Sequence, residues 1–177
     1  ARDERFWRSR AAALPGPAEL PLRTGWRDTG PSMTHRMVTV DAHAARRIEA
    51  LAATHGLTPT MVHLAVYGTV LGRLGGGAAH SVTVLYSRVT GDAASPGFGN
   101  RGNTMPLEIP ETEATSFVEI ARSVQSRYLS QAMHTTLSGA EIVRLANPGA
   151  DPRRLAHPFT FTALDTDSRS EAALGLR

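Results

Sequence analysis

The sequence predicts an α/β fold in which a mixed sheet carries amphipathic helices in two packed layers. Three observations lead there. Short runs such as SVTVLYS (81–87) and TMPLEI (104–109) alternate in side-chain character and are β-rich. Before and after them stand longer runs with apolar residues at helical spacing, each opened by a capping residue. Strands and helices do not alternate regularly, which favours a mixed sheet over a doubly wound parallel one.

In chain order, residues 2–13 read as a short helix carrying Phe6 and Trp7, with arginines on its wet side. LPGPAELPLRTGWRDTGPS follows, too rich in Pro and Gly for regular structure, and is expected to lie over the surface on Leu20, Leu22 and Trp26. THRMVTV (34–40) alternates and ends on Asp41, an N-cap for a helix over 42–54 that buries Ala45, Ile48, Leu51 and Ala52. Gly56 is placed to stop that helix in the left-handed conformation. Thr58-Pro59 opens the next, with proline at the first position, where no amide hydrogen is needed. TMVHLAVYGTVLGRL is apolar on nearly every side, so this helix is expected to lie inside the protein.

Gly75–Gly77 end it. Strand 81–87 should place Val82, Val84 and Tyr86 on one face and Thr83, Leu85 and Ser87 on the other. Ser116 and Glu119 form the pattern of a capping box, followed by the inward stripe Phe117, Ile120, Ala121, Val124, Tyr128 and Ala132. Ser138 and Glu141 repeat the box for a shorter helix ending at Asn147-Pro148-Gly149. HPFTFTALD reads as a last strand with Phe159, Phe161 and Ala163 on one face.

The totals exclude several function classes. The chain has 177 residues, enough for one domain with a buried core. It holds no cysteine, so thiolate chemistry and Cys-based zinc sites are out. Its basic residues are all arginine, scattered and close to acids, with a net charge of only +3. A nucleic-acid binder gathers such charge into a patch with aromatics, and no nucleic-acid partner is expected. No apolar window is long enough to span a membrane and the N-terminus lacks a signal peptide's apolar core, so no membrane partner and a cytoplasmic location are expected.

GNRGNTMPLEI (99–109) poses the question of a phosphate cradle. A P-loop needs a lysine and a following helix, and a dinucleotide fingerprint needs strand, turn, helix; here there is no lysine and a strand follows. The histidines show neither HExxH nor a pair four apart, so no metal site is expected. His55 and His63 bracket a helix start and read as structural. Asp165 and Asp167 read as a solvated loop. Neither Ser87 nor Ser138 sits in G-x-S-x-G, and no glycosidase-type carboxylate pair stands out. The residues give a fold and no self-sufficient active site.

Several stretches, in order, resemble the condensation domains of nonribosomal peptide synthetases. ERFWRSRAAALPGPAELPL resembles their "yW…rL…lP…LPl" connector, and HGLTPTMVHLAVYGTVLGRLGG their "hGlTp…l.aay..vL.r..g" helix. LYSR is similar to a strand ending in a "gR"-type arginine, here Arg88. GFGNRGNTMPLEI is similar to "vG.fvNtlplr", which puts Asn103 and Thr104 on its Asn-Thr pair. SFVEIARSVQSRYLSQAMHTTLSGAEIV resembles a helix followed by the "(H/N)qd.Pfe" turn, with His134 first in that turn. HPFTFTALD is similar to "hPl..v.F" or "FTS.L", with Thr162 on the Thr.

The resemblance implies one lobe of a chloramphenicol-acetyltransferase-like fold: residues 1–33 would be a helix and connector from the end of the N-terminal lobe, and 34–177 part of the C-terminal lobe. It implies two lobes in a V with a tunnel between them, and carrier proteins at opposite mouths delivering thioesters on phosphopantetheine arms. No bound cofactor is expected. The second histidine of HHxxxDG, in the N-terminal lobe, assists the acceptor amine. That motif is absent here, since no histidine has an aspartate four residues on. The resemblance therefore implies that the N-terminal lobe is supplied in cis or as another chain, that the last elements of the second lobe lie after Arg177, and that no catalytic residue lies in this chain. Arg88, Asn103, Thr104, His134 and Thr162 are the expected tunnel-lining or loop-positioning residues. Alternatives are a condensation-like module that recruits a carrier protein or tailoring enzyme without reacting, and a superfamily acyltransferase making esters. HTTLSGAEI and FTFTAL lean toward the heterocyclisation subfamily, but GNRGNT departs from its "GDFTs", which favours an ordinary condensation domain or variant.

Overall fold

The computed structural model describes residues 2–21, 33–87, 102–149 and 158–164. Among these, the elements run α1 (Arg2–Ala11), α2 (Ala42–His55), α3 (Pro59–Leu74), β1 (His80–Ser87), β2 (Gly102–Ile109), α4 (Phe117–Ala132), α5 (Gly139–Ala146) and β3 (Thr160–Phe161).

Local chemistry sets most helix ends. The Asp41 carboxylate accepts from Ala44 N–H, and Gly56 closes α2 at φ 66°, a conformation that costs a side-chain-bearing residue about 1–2 kcal/mol. The Thr58 hydroxyl accepts from Met61 N–H ahead of Pro59. Both capping boxes form, Ser116 with Glu119 and Ser138 with Glu141. Gln125, on α4, stitches the α2–α3 turn in place: its Nε2 donates to Gly56 O at 2.8 Å and its Oε1 accepts from Thr58 N–H at 3.0 Å.

The sheet is mixed, in the order β2-β1-β3. β1 runs antiparallel to β2, with Val82 opposite Leu107, Val84 opposite Met105 and Tyr86 opposite Asn103. It runs parallel to β3, with Val84 beside Phe161. Among the described residues β2 is an edge, so the missing amide hydrogen of Pro106 in mid-strand breaks no ladder there. The connector continues the β3 side of β1: Ser81 N–H donates to Gly16 O at 2.8 Å, two residues before Thr83 N–H donates to Phe159 O. Ala18 is buried and Leu20 packs against the core, while the other expected anchors, Leu22 and Trp26, lie outside the described residues.

Two apolar clusters hold the layers together. The larger joins α3 and α4 to the sheet through Leu64, Ala65, Val82, Val84, Leu107, Ile109, Ile120 and Val124. The smaller, Trp7, Tyr86, Met105 and Ile142, seats α1 and α5 at one end of the sheet. The predicted stripe of α4 is inward, with Ile120, Ala121 and Val124 fully buried.

Three expectations change. α3 is not enclosed, because Val66, Val70 and Leu74, four residues apart along one side, are 47%, 51% and 59% exposed. An all-round apolar sequence shows that a helix is to be covered, not which segment covers it. Residues 34–40 form no ladder with any described residue, and Met37 and Val38 are more than four-fifths exposed. The last strand is short, and Ala163 beyond it is exposed.

Candidate functional site

Asn103, Thr104 and His134 belong to one corner, where the start of β2 meets the turn between α4 and α5. The Asn103 side chain uses its whole amide. Nδ2 donates to Tyr86 Oη at 3.1 Å and to Leu137 O at 3.2 Å. Oδ1 accepts from Thr104 N–H at 2.8 Å and Gly139 N–H at 3.3 Å. One planar group thus ties β1, β2 and the first turn of α5 together.

Thr104 sits half-buried beneath Gly139. A Cβ on Gly139 would collide with Thr104 Oγ1 and come within 2.6 Å of Thr104 O, so only glycine lets α5 approach β2 this closely.

His134 faces α1. Its Nδ1 donates to Asp3 Oδ1 at 2.9 Å, and its ring lies on Phe6 with centroids 3.8 Å apart and planes at 15°. Its carbonyl accepts from Trp7 Nε1–H at 2.9 Å. Asp3 Oδ2 also accepts from Thr136 N–H at 3.1 Å. The hydrogen bond from His134, with smaller help from Thr136, holds the Asp3 carboxyl below its ordinary value of 3.8 against the opposing effect of burial.

Thr162 stands apart from that corner. It is exposed just past β3, whose Phe161 pairs with Val84, whereas Thr104 pairs with Leu85 on the other side of β1. The two threonines therefore flank β1 at the same end of the sheet, two strand spacings or about 10 Å apart. Leu85 between them is 39% exposed. Arg88 lies outside the described residues, as do Gly99–Arg101 of the glycine loop and the Asp165–Asp167 pair; the segment after the loop is a strand, as expected.

Sequence reasoning missed Asp3 and Tyr86 as partners of this corner, because separations of 131 and 17 residues leave no local pattern. A groove of about 350 Å³ runs beside the corner between α1 and α5, with Leu137 and Leu145 below and Glu4, Arg8, Glu141 and Arg144 around it. Among the described residues no group of three or more His, Asp or Glu side chains is arranged to hold a metal ion. No described helix is long and apolar enough to cross a membrane.

A mixed sheet backed by α3 and α4 is the setting the resemblance implies. Residues 1–172 match the Condensation domain family, and the chain belongs to that family. It is 29% identical over 145 residues to pyochelin synthetase PchF of Pseudomonas aeruginosa, covering 81% of this chain and 8% of that protein. It is 27% identical over 166 residues to phenyloxazoline synthase MbtB of Mycobacterium tuberculosis, covering 91% of this chain and 12% of that one. Among solved structures it is similar to the EpoB cyclization-docking bidomain from Sorangium cellulosum, with 25% identity, a TM-score of 0.77, and coverage of 93% of this chain and 34% of that one. The X-domain from teicoplanin biosynthesis shares the fold at 20% identity and TM-score 0.68, with 35% of that chain covered. This chain thus spans about a third of these two solved chains and about a tenth of these two curated relatives.

Proposed function

We propose that this chain is the C-terminal-lobe part of a nonribosomal peptide synthetase condensation domain, forming an amide between two carrier-bound substrates once a lobe bearing HHxxxDG completes the site. The observation that carries this reading is the family match across residues 1–172, joined to a polar corner whose groups are committed to holding the fold.

The chemistry suits a supporting wall. The acceptor amine nitrogen attacks the thioester carbonyl carbon, the C–S bond breaks, the phosphopantetheine thiolate leaves, and the amine's proton passes to a base. Two tethered reactants need alignment and exclusion of water, and effective molarity alone contributes about 7–11 kcal/mol in well-oriented systems. A properly placed base adds roughly 10²–10⁴-fold. In this reading the base comes from the other lobe, Thr104, Thr162 and Arg88 line the tunnel, and Asn103 and His134 orient its loops. Carrier proteins are the partners and the cytoplasm is the compartment.

The test supplies loaded donor and acceptor carriers to this chain joined to an HHxxxDG lobe. Amide product, lost when the second histidine of that motif is replaced, supports the reading. No amide from the native joined polypeptide would overturn it and favour a recruiting module.

Heterocyclisation is the second reading, favoured by one observation: the relatives include a phenyloxazoline synthase and a cyclization-docking bidomain. An oxazoline forms when a side-chain hydroxyl attacks the new amide carbonyl and water is lost. In the same assay that product is lighter than the open amide by one water.

A further inference from the structure

We infer that the His134–Asp3 pair is a latch setting how α1 sits on the rest of the fold, with His134 as its positioning residue. This rests on the reading above, in which α1 ends the first lobe and the chain from residue 34 belongs to the second; the latch then fixes the angle at which the lobes meet.

The latch adds a polar hold to the apolar seat that Trp7 and Phe6 give α1. Only Trp7 and Ala11 of its residues are buried, and its outer side is charged. The polar contacts instead converge on residues 134–136. Asp3 accepts once from the His134 ring and once from Thr136 N–H. Trp7 donates to the His134 carbonyl, and Phe6 covers the imidazole face. His134 is thus engaged through ring edge, ring face and backbone together. The Asp3 and His134 side chains are each 12% exposed, so water screens the pair less than an ordinary surface pair.

The chemistry also says what opens it. A carboxylate only accepts, so His134 Nδ1 must carry the hydrogen, which holds for its neutral Nδ1–H tautomer as well as for the cation. Protonating Asp3 weakens both of its bonds. Other charges on α1 and α5 include Arg2 and Arg5, Glu4 paired with Arg8 at 2.8 Å, Arg10 over the Phe6 ring at 4.9 Å, and Glu141 and Arg144 across the groove.

The experiment reads hydrogen exchange at the Trp7 indole N–H, assigned with Trp7→Phe, in this chain and in the chain joined to an HHxxxDG lobe. Variants are matched for far-UV circular dichroism. His134→Asn keeps a donor at the position of Nδ1 and is the residue the resembling turn allows; it should keep protection within about threefold. His134→Phe keeps the stack but no donor, and Asp3→Asn removes the charge; each should lose at least about tenfold, the size expected for one charge-assisted hydrogen bond. Native protection should fall as pH drops through the acid range, and Asp3→Asn should flatten that fall. Native-like protection in His134→Phe, or an unchanged acid fall in Asp3→Asn, overturns the latch whatever the activity. Lost protection with slowed amide formation supports the inference. Lost protection with an unchanged amide rate overturns the claim that the latch sets the lobe angle. If the native joined polypeptide makes no amide, the proposed function fails, while the exchange data still decide the latch.

Discussion

Replacing Gly139 by alanine sets two effects against each other. Gly139 is the first residue of α5, where alanine gains at most the roughly 1 kcal/mol over glycine that it has in a helix interior. Against that gain stands the space: the new Cβ would lie 2.6 Å from Thr104 O and 2.9 Å from Thr104 C, and closer still to Thr104 Oγ1. Those are backbone atoms of a paired strand, so relief requires α5 to lift from β2 by several tenths of an ångström. Overpacking of this kind costs about 1–3 kcal/mol. Lifting also stretches the already long bond from Gly139 N–H to Asn103 Oδ1 (3.3 Å), whose loss adds about 1 kcal/mol. The steric side wins, and the net expectation is destabilisation by about 1–3 kcal/mol. Urea unfolding followed by far-UV circular dichroism measures it, with Ala140→Gly as the control that changes helix propensity at an exposed neighbour. A Gly139→Ala variant as stable as the native chain, or more stable, would refute the claim that α5 is pressed onto the Asn-Thr corner.

Asn103→Ala should cost about 2–4 kcal/mol in the same assay, since it orphans Thr104 N–H and the Leu137 carbonyl and breaks the tie to Tyr86; a cost below about 0.5 kcal/mol would mean those bonds are not held in solution. Thr162→Ala should leave stability within about 0.5 kcal/mol because the side chain is exposed, while a tunnel-lining role requires a slower amide rate in the joined polypeptide. Asp3 holds its carboxyl below 3.8 in the fold, so its contribution is complete above that value and disappears as pH falls through the lowered one. Acid titration should accordingly destabilise the native chain more steeply than Asp3→Asn below pH 4. Exposed Met37, Val38, Val66 and Val70 should make the isolated chain self-associate, which Val38→Lys with Val70→Lys should reduce in sedimentation velocity; a monomeric native chain with cooperative melting would count against this.

What could be read from the sequence was what neighbouring residues decide. Asp41, Thr58-Pro59 and the two Ser-x-x-Glu boxes fix helix starts through bonds spanning three residues, so their chemistry is local and visible. Val82, Val84 and Tyr86 share a face because strand period is two, and that too needs no tertiary knowledge. The mixed sheet was legible from the irregular order of elements. Long-range choices were not. Nothing around Asp3 indicates that it meets His134, and nothing near Asn103 announces Leu137 and Gly139 as partners. The exposed row on α3 was hidden for a related reason: periodicity records that a surface is apolar and does not say what covers it.

The most direct measurement is mass spectrometry of carrier-bound products after mixing loaded donor and acceptor carriers with this chain alone. If the reactive histidine belongs to the complementing lobe, amide should accumulate no faster than in a protein-free control and should rise only when that lobe is joined. Amide formation by the 177-residue chain alone, above the control and abolished by heat, would contradict the account.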